Sequence, residues 1–125
     1  MNIQRALDIT DRMYPNLMDK DLKLHFLTVI EQLIHQEIVM KHEHTEEQET
    51  LPEYTVDTDP GTELIIPDPY SELYYYWIMY KIAEQNLEFD KVNAFNGEFE
   101  NKYDTMSDWY TRTHMPMQAV PQILL

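Results

Sequence analysis

The stretch from Leu64 to Tyr80, LIIPDPYSELYYYWIMY, constrains this chain more than any other. It places five tyrosines and one tryptophan at the start of a single helix. Pro67 and Pro69 flank Asp68, which holds the backbone ahead of Tyr70 extended. Asp68 is then placed to cap the first turn. Pro69 takes the first helical position, where a missing N–H costs nothing. From Leu73 to Tyr80 eight consecutive residues are apolar or aromatic. A surface helix carries an apolar stripe, but this one is apolar nearly all round and needs cover on more than one side. A chain of 125 residues has limited material for that, so a neighbouring subunit is an expected source of the rest.

Length predicts one domain, large enough to bury about two thirds of its unfolded surface. The hydrophobic fraction of 43% excludes a disordered chain as a whole. Only two glycines are present, which argues against an all-β fold and against a glycine-rich phosphate loop. The absence of cysteine excludes disulfides, thiolate metal sites and cysteine nucleophiles. No N-terminal signal core and no apolar run of ~18 residues is found, so a soluble, unprocessed chain is expected. The formal charge is −14, from 23 acidic against 9 basic residues. Such a surface repels nucleic acid and anionic membranes, and suits basic partners or plain solvation.

Periodicity predicts a mainly α fold, a small four-helix domain over residues 1–113 followed by an apolar tail, 114–125. Helix one runs from about Asn2, its cap, to Tyr14, with Ile3, Ala6, Leu7, Thr10 and Tyr14 on one face. Helix two starts at Asp19 and reaches about Lys41. Leu22, Phe26, Val29, Leu33 and Met40 form one stripe, and Leu27, Ile30, Ile34 and Ile38 an adjacent one. That wide apolar face places it in the middle of the fold. From His42 to Thr62 periodicity vanishes, and a long acidic loop free to reach a partner is expected. Residues 63–66 can form a short extended or β segment. The aromatic helix runs from Pro69 to about Gln85, and Asn86 is expected to take the left-handed conformation that ends it. Val92, Phe99 and Met106 recur every seven residues in the last helix, with Phe95 or Asn96, Tyr103 and Tyr110 between them. This seam predicts a central antiparallel hairpin of helices three and four. Gly97 inside it implies a bulky aromatic crossing or a locally weak helix. After His114 the tail carries Met115, Met117, Val120, Ile123, Leu124 and Leu125, an apolar set suited to docking.

Residue patterns that could carry chemistry are thin. His42-Glu43-His44 and the pair Glu31/His35 match no zinc motif and read as ordinary loop and helix-surface residues. Asp57 to Asp68 superficially resembles a calcium loop, but its glycine is misplaced and Pro60 intrudes. No catalytic residue, cofactor site or metal site is assigned. The tyrosines are different. Leu73, Trp77 and Tyr80 read as core, whereas consecutive Tyr74, Tyr75 and Tyr76 span about 200° and cannot all face one core. Tyr70, Tyr74, Tyr75 and Tyr76, with Met115, Met117, Ile123, Leu124 and Leu125, are therefore the expected partner-binding set.

Three segments together resemble a family of tailed-phage and prophage head–tail connector, or neck adaptor, proteins. They are IQRALDITDRMYPN with the later IEQLIHQEI, then DTDPGTELIIPDPYSELYYYWIMYKI, and VNAFNGEFENKYDTMSDWYTRTHMP. The resemblance spans nearly the whole chain, apart from His42 to Tyr54 and the last few residues. It implies a helical, non-enzymatic protomer of a ring, dodecameric in such proteins, below the portal protein. The ring would extend the DNA channel and dock a tail or stopper protein. DNA would pass without specific binding, and no membrane would be involved. The location implied is the virion neck, after assembly in the host cytoplasm. The family supplies no functional residues to carry over. Two other readings come from composition: an acidic DNA-mimicking inhibitor of a nucleic-acid-binding protein, and a metal-dependent enzyme using the histidine-rich loop.

Overall fold

The structure, a computed structural model, describes residues 1–117. Four helices make up the domain: α1 (Ile3–Met13), α2 (Lys20–Glu37), α3 (Leu73–Gln85) and α4 (Phe89–Thr113). Short 3-10 turns lie at Val39–Lys41, Glu47–Glu49 and Tyr70–Glu72. The mainly helical class is as expected, and the described residues hold no strand. Residues 63–66 contribute only one antiparallel bridge, between Glu63 and Asn2.

α1 starts as the sequence predicts. The Asn2 side chain accepts from the Arg5 N–H at 2.8 Å. The next free donors of the first turn, on Ile3 and Gln4, reach the carbonyls of Thr62 and Pro60 at 3.1 and 3.0 Å. Ile3, Ala6, Leu7, Thr10 and Tyr14 are all buried.

The centre of the fold is α3, not α2. α1, α2 and α4 each pack mainly on α3. The apolar girth of α3 explains this, because three neighbours are needed to cover it. Leu73, Tyr74, Trp77, Ile78, Met79, Ile82 and Ala83 are buried within the one chain. A second subunit is thus not needed for most of the aromatic helix. On α2 the stripe of Leu27, Ile30 and Ile34, continued by the cap residue Ile38, is core, and Leu24 joins it. The other stripe lies at an edge: Phe26 and Val29 are partly buried, and Leu22 and Leu33 are 38% exposed.

The start of α3 departs from expectation. Asp68 does not cap it; its carboxylate accepts from the Ser71 hydroxyl. Pro69 precedes a 3-10 turn and not the first α-helical turn. The helix end also differs. Asn86 is right-handed, and Leu87 takes the left-handed conformation, at φ 57°. Leu87 N–H donates to the Glu84 carbonyl at 3.2 Å and Glu88 N–H to Ala83 at 3.1 Å. This is a Schellman closure with leucine where glycine is usual. Leu87 is well exposed, so its side chain recovers nothing by packing. Leu87→Gly is expected to raise stability by about 0.5–1 kcal/mol, the relieved Cβ strain less the added unfolded-state entropy. Urea unfolding measures it, and a loss of stability would contradict the account.

α4 runs back along α3, with Trp77 beside Phe99 (5.0 Å between centroids) and Tyr70 stacked on Trp109 (4.4 Å). Of the heptad seam, Met106 and Tyr110 are buried, while Val92, Phe95, Phe99 and Tyr103 stay partly exposed. Nothing crosses Gly97, which faces open space.

Candidate functional site

The polar side of α2 fixes the segment expected to be a free loop. Thr28, Glu31, Gln32 and His35 lie at helical spacing on one face. Each meets the segment that follows. Thr28 Oγ1 accepts from the Tyr54 N–H at 3.0 Å and donates to its carbonyl at 3.3 Å. Gln32 Nε2 donates to the Pro52 carbonyl at 3.0 Å, and His35 Nε2 to that of Gln48 at 2.7 Å. Glu31 is fully buried and gathers three segments. Its carboxylate accepts from Tyr54 OH at 2.7 Å, from Ile65 N–H at 3.0 Å and from Tyr74 OH. Tyr74 OH in turn accepts from Ile66 N–H at 2.9 Å.

Burial raises the Glu31 carboxyl above the ordinary range, outweighing the donors from Tyr74, Tyr54 and Ile65 that favour its charge. Burial, with the Glu31 charge second, also pushes both tyrosine hydroxyls up, so they remain donors. Glu31 and His35 are therefore not helix-surface residues. The acidic loop is not a loose arm either, but a strap laid along α2. A cavity of about 270 Å³ lies beneath it, lined in part by His35, Val39, Pro52 and Ile65.

The histidines of the loop are also engaged. His42 is buried; its Nδ1 donates to the Ile38 carbonyl at 2.6 Å, and its ring meets Tyr110 edge-on. His44 Nδ1 donates to the His42 carbonyl at 2.7 Å. Among the described residues no three metal-ligating side chains cluster. No described helix is long and apolar enough to cross a membrane.

The expected partner-binding set is divided by the fold. Tyr74 is fully buried and serves Glu31, so it leaves the set. Tyr70 stacks on Trp109, while Tyr75 and Tyr76 pack on each other at 5.1 Å and remain partly exposed. Burial, then Glu72, pushes the Tyr75 hydroxyl up to about 12. Met115 and Met117 are exposed. Their backbones pair with the segment just after α2: Glu43 N–H donates to the Met115 carbonyl at 2.8 Å, and Met117 N–H to that of Lys41 at 2.9 Å. Ile123, Leu124 and Leu125 lie outside the described residues.

A second open surface is one the tyrosine run does not announce. The edge stripe of α2 (Leu22, Phe26, Val29, Leu33) and the half-covered seam of α4 are linked at two points. Trp77 Nε1 donates to the Phe26 carbonyl at 2.9 Å and its ring touches Phe99, while Tyr103 OH donates to Glu37 at 3.2 Å. Tyr80 and Lys81 edge this band, with the Lys81 ammonium 4.7 Å from the Trp77 ring centroid. The wide two-stripe face of α2 was the available signal, since one chain could bury only one of its stripes.

No protein-family model, no curated protein and no solved structure matches this chain.

Proposed function

We propose that the protein is a non-enzymatic structural adaptor of a tailed-phage neck, one protomer of a ring beneath the portal protein that extends the DNA channel toward the tail. The observation that supports this most is the band of α2, α3 and α4. On a chain of formal charge −14, it leaves Leu22, Phe26, Val29, Leu33, Tyr80, Phe99 and Tyr103 exposed or only partly buried. Apolar surface of this kind on a small acidic protein suits permanent neighbours. The acidity itself suits a channel that passes DNA without gripping it. The sequence resemblance supports the particular assembly.

Co-expression with the portal protein of the same genome tests the proposal. A co-purifying ring is expected, and absence of both ring and portal capture counts against it. Leu33→Lys probes the band directly. Leu33 is 38% exposed, so the change is expected to alter stability by no more than about 0.5 kcal/mol while abolishing co-purification. Thermal unfolding and portal pull-down are the two readouts; wild-type capture by the variant would clear the band of the role.

A second reading is an acidic inhibitor that mimics DNA. It gains from the strap, an acidic segment whose backbone is held to α2 and not left as a loose loop. Salt-sensitive capture by basic nucleases would support it, and no capture would remove it.

A further inference from the structure

Between Glu43 and Asp59 the strap carries seven acidic residues and no lysine or arginine. Both its ends are pinned. At one end Glu43 pairs with Met115 and Lys41 with Met117. At the other, Pro60 and Thr62 cap α1, and Leu64 N–H donates to the Met1 carbonyl at 3.0 Å. Along the strap itself Tyr54 is the only buried side chain. Its hold on α2 is otherwise the hydrogen bonds from Thr28, Gln32 and His35. His35 Nδ1 is buried without a partner among the described residues, so that end of the contact is incompletely satisfied. We propose that Glu43–Asp59 is a strap poised to open as a unit between two fixed ends, with Glu31 as its latch, while the four helices stay folded.

The energetics favour such a unit. Little apolar area is lost on opening, and the polar contacts are exchanged for water. The strap's seven carboxylates, with no lysine or arginine among them, repel one another. Opening hydrates Glu31 and returns it to ordinary acidity, so the closed form holds the proton more tightly. Closure is therefore firmest below the ordinary carboxylate range, weakens as pH rises through the raised value, and is level above it. The groups acting on Glu31 are Tyr74 from α3, Tyr54 from the strap, the Ile65 N–H and His35 from α2 itself. None of this depends on the assembly proposed above.

Native-state hydrogen exchange on the full chain, followed by NMR and corrected for intrinsic rates from pH 5.5 to 8, tests it. The Tyr54 amide is expected to exchange at least ~100-fold faster than those of Ile78 and Ile82 in α3, reflecting sub-global opening. Its opening constant is expected to rise with pH in the wild type and to be flat in Glu31→Gln. Equal protection of Tyr54 and Ile78 would overturn the strap, and a pH slope that persists in Glu31→Gln would overturn the latch. Should that variant not fold, Ile82→Val in the α3 core is the substitute. It is expected to speed Ile78 exchange several-fold and leave Tyr54 unchanged, because the closed and strap-open forms lose the same core packing and only global unfolding escapes it. Equal acceleration at both sites would refute a separate unit.

Discussion

Glu31→Ala is expected to destabilise the fold by about 3–5 kcal/mol in urea unfolding. The reason is not the carboxylate alone, whose burial is itself unfavourable. Removing it leaves Tyr54 OH, Tyr74 OH and the Ile65 N–H without their acceptor in a dry site. Tyr74 is fully buried on α3, so its hydroxyl cannot turn to solvent without moving the helix. The loss is expected to be larger at pH 5 than at pH 8. Glu31 has a raised folded-state value, so its stabilising share is complete below the ordinary carboxylate value of 4.5 and fades as pH climbs through the raised one. A loss under ~1 kcal/mol, or one that grows with pH, would show that Glu31 does not organise these segments.

Trp77→Ala is expected to cost a similar about 3–5 kcal/mol. Trp77 is 9% exposed and stands where three helices meet. Its ring packs on Phe99 of α4 and Tyr80 of α3, and its Nε1 donates to the Phe26 carbonyl of α2. Truncation opens a large cavity and removes that bond, while the Phe26 carbonyl keeps its partner in the α2 ladder. Trp77→Phe separates the terms: most of the packing is kept and the hydrogen bond, worth about 1 kcal/mol, is lost. A change below ~1 kcal/mol for the alanine variant would mean Trp77 is not core.

The helices were legible because periodicity and caps report local physics. Asn2 caps α1, and the α3–α4 hairpin follows from two apolar runs separated by a short break. The strap was not legible, because what holds it is a polar set, Thr28, Glu31, Gln32 and His35, which resembles the solvent side of an amphipathic helix. An acidic segment with two prolines and no periodicity gives no sign that one tyrosine, Tyr54, anchors it. The role of Tyr74 was hidden in the same way. Three consecutive tyrosines show that not all can share a core, but not which one finds a buried carboxylate 43 residues away. The placement of α2 at the centre failed for a related reason. Its second apolar stripe was read as buried within the chain, whereas Leu22 and Leu33 stay exposed. That misfit is what the assembly reading turns on.

Cryo-EM of the virions specified by the genome that carries this coding sequence tests the central claim most directly. A closed ring of this chain between portal and tail is predicted, with Leu33, Phe99 and Tyr103 covered by the adjoining subunit or portal. Particles whose neck contains no copy of the chain, or a ring that leaves that band in solvent, would contradict it.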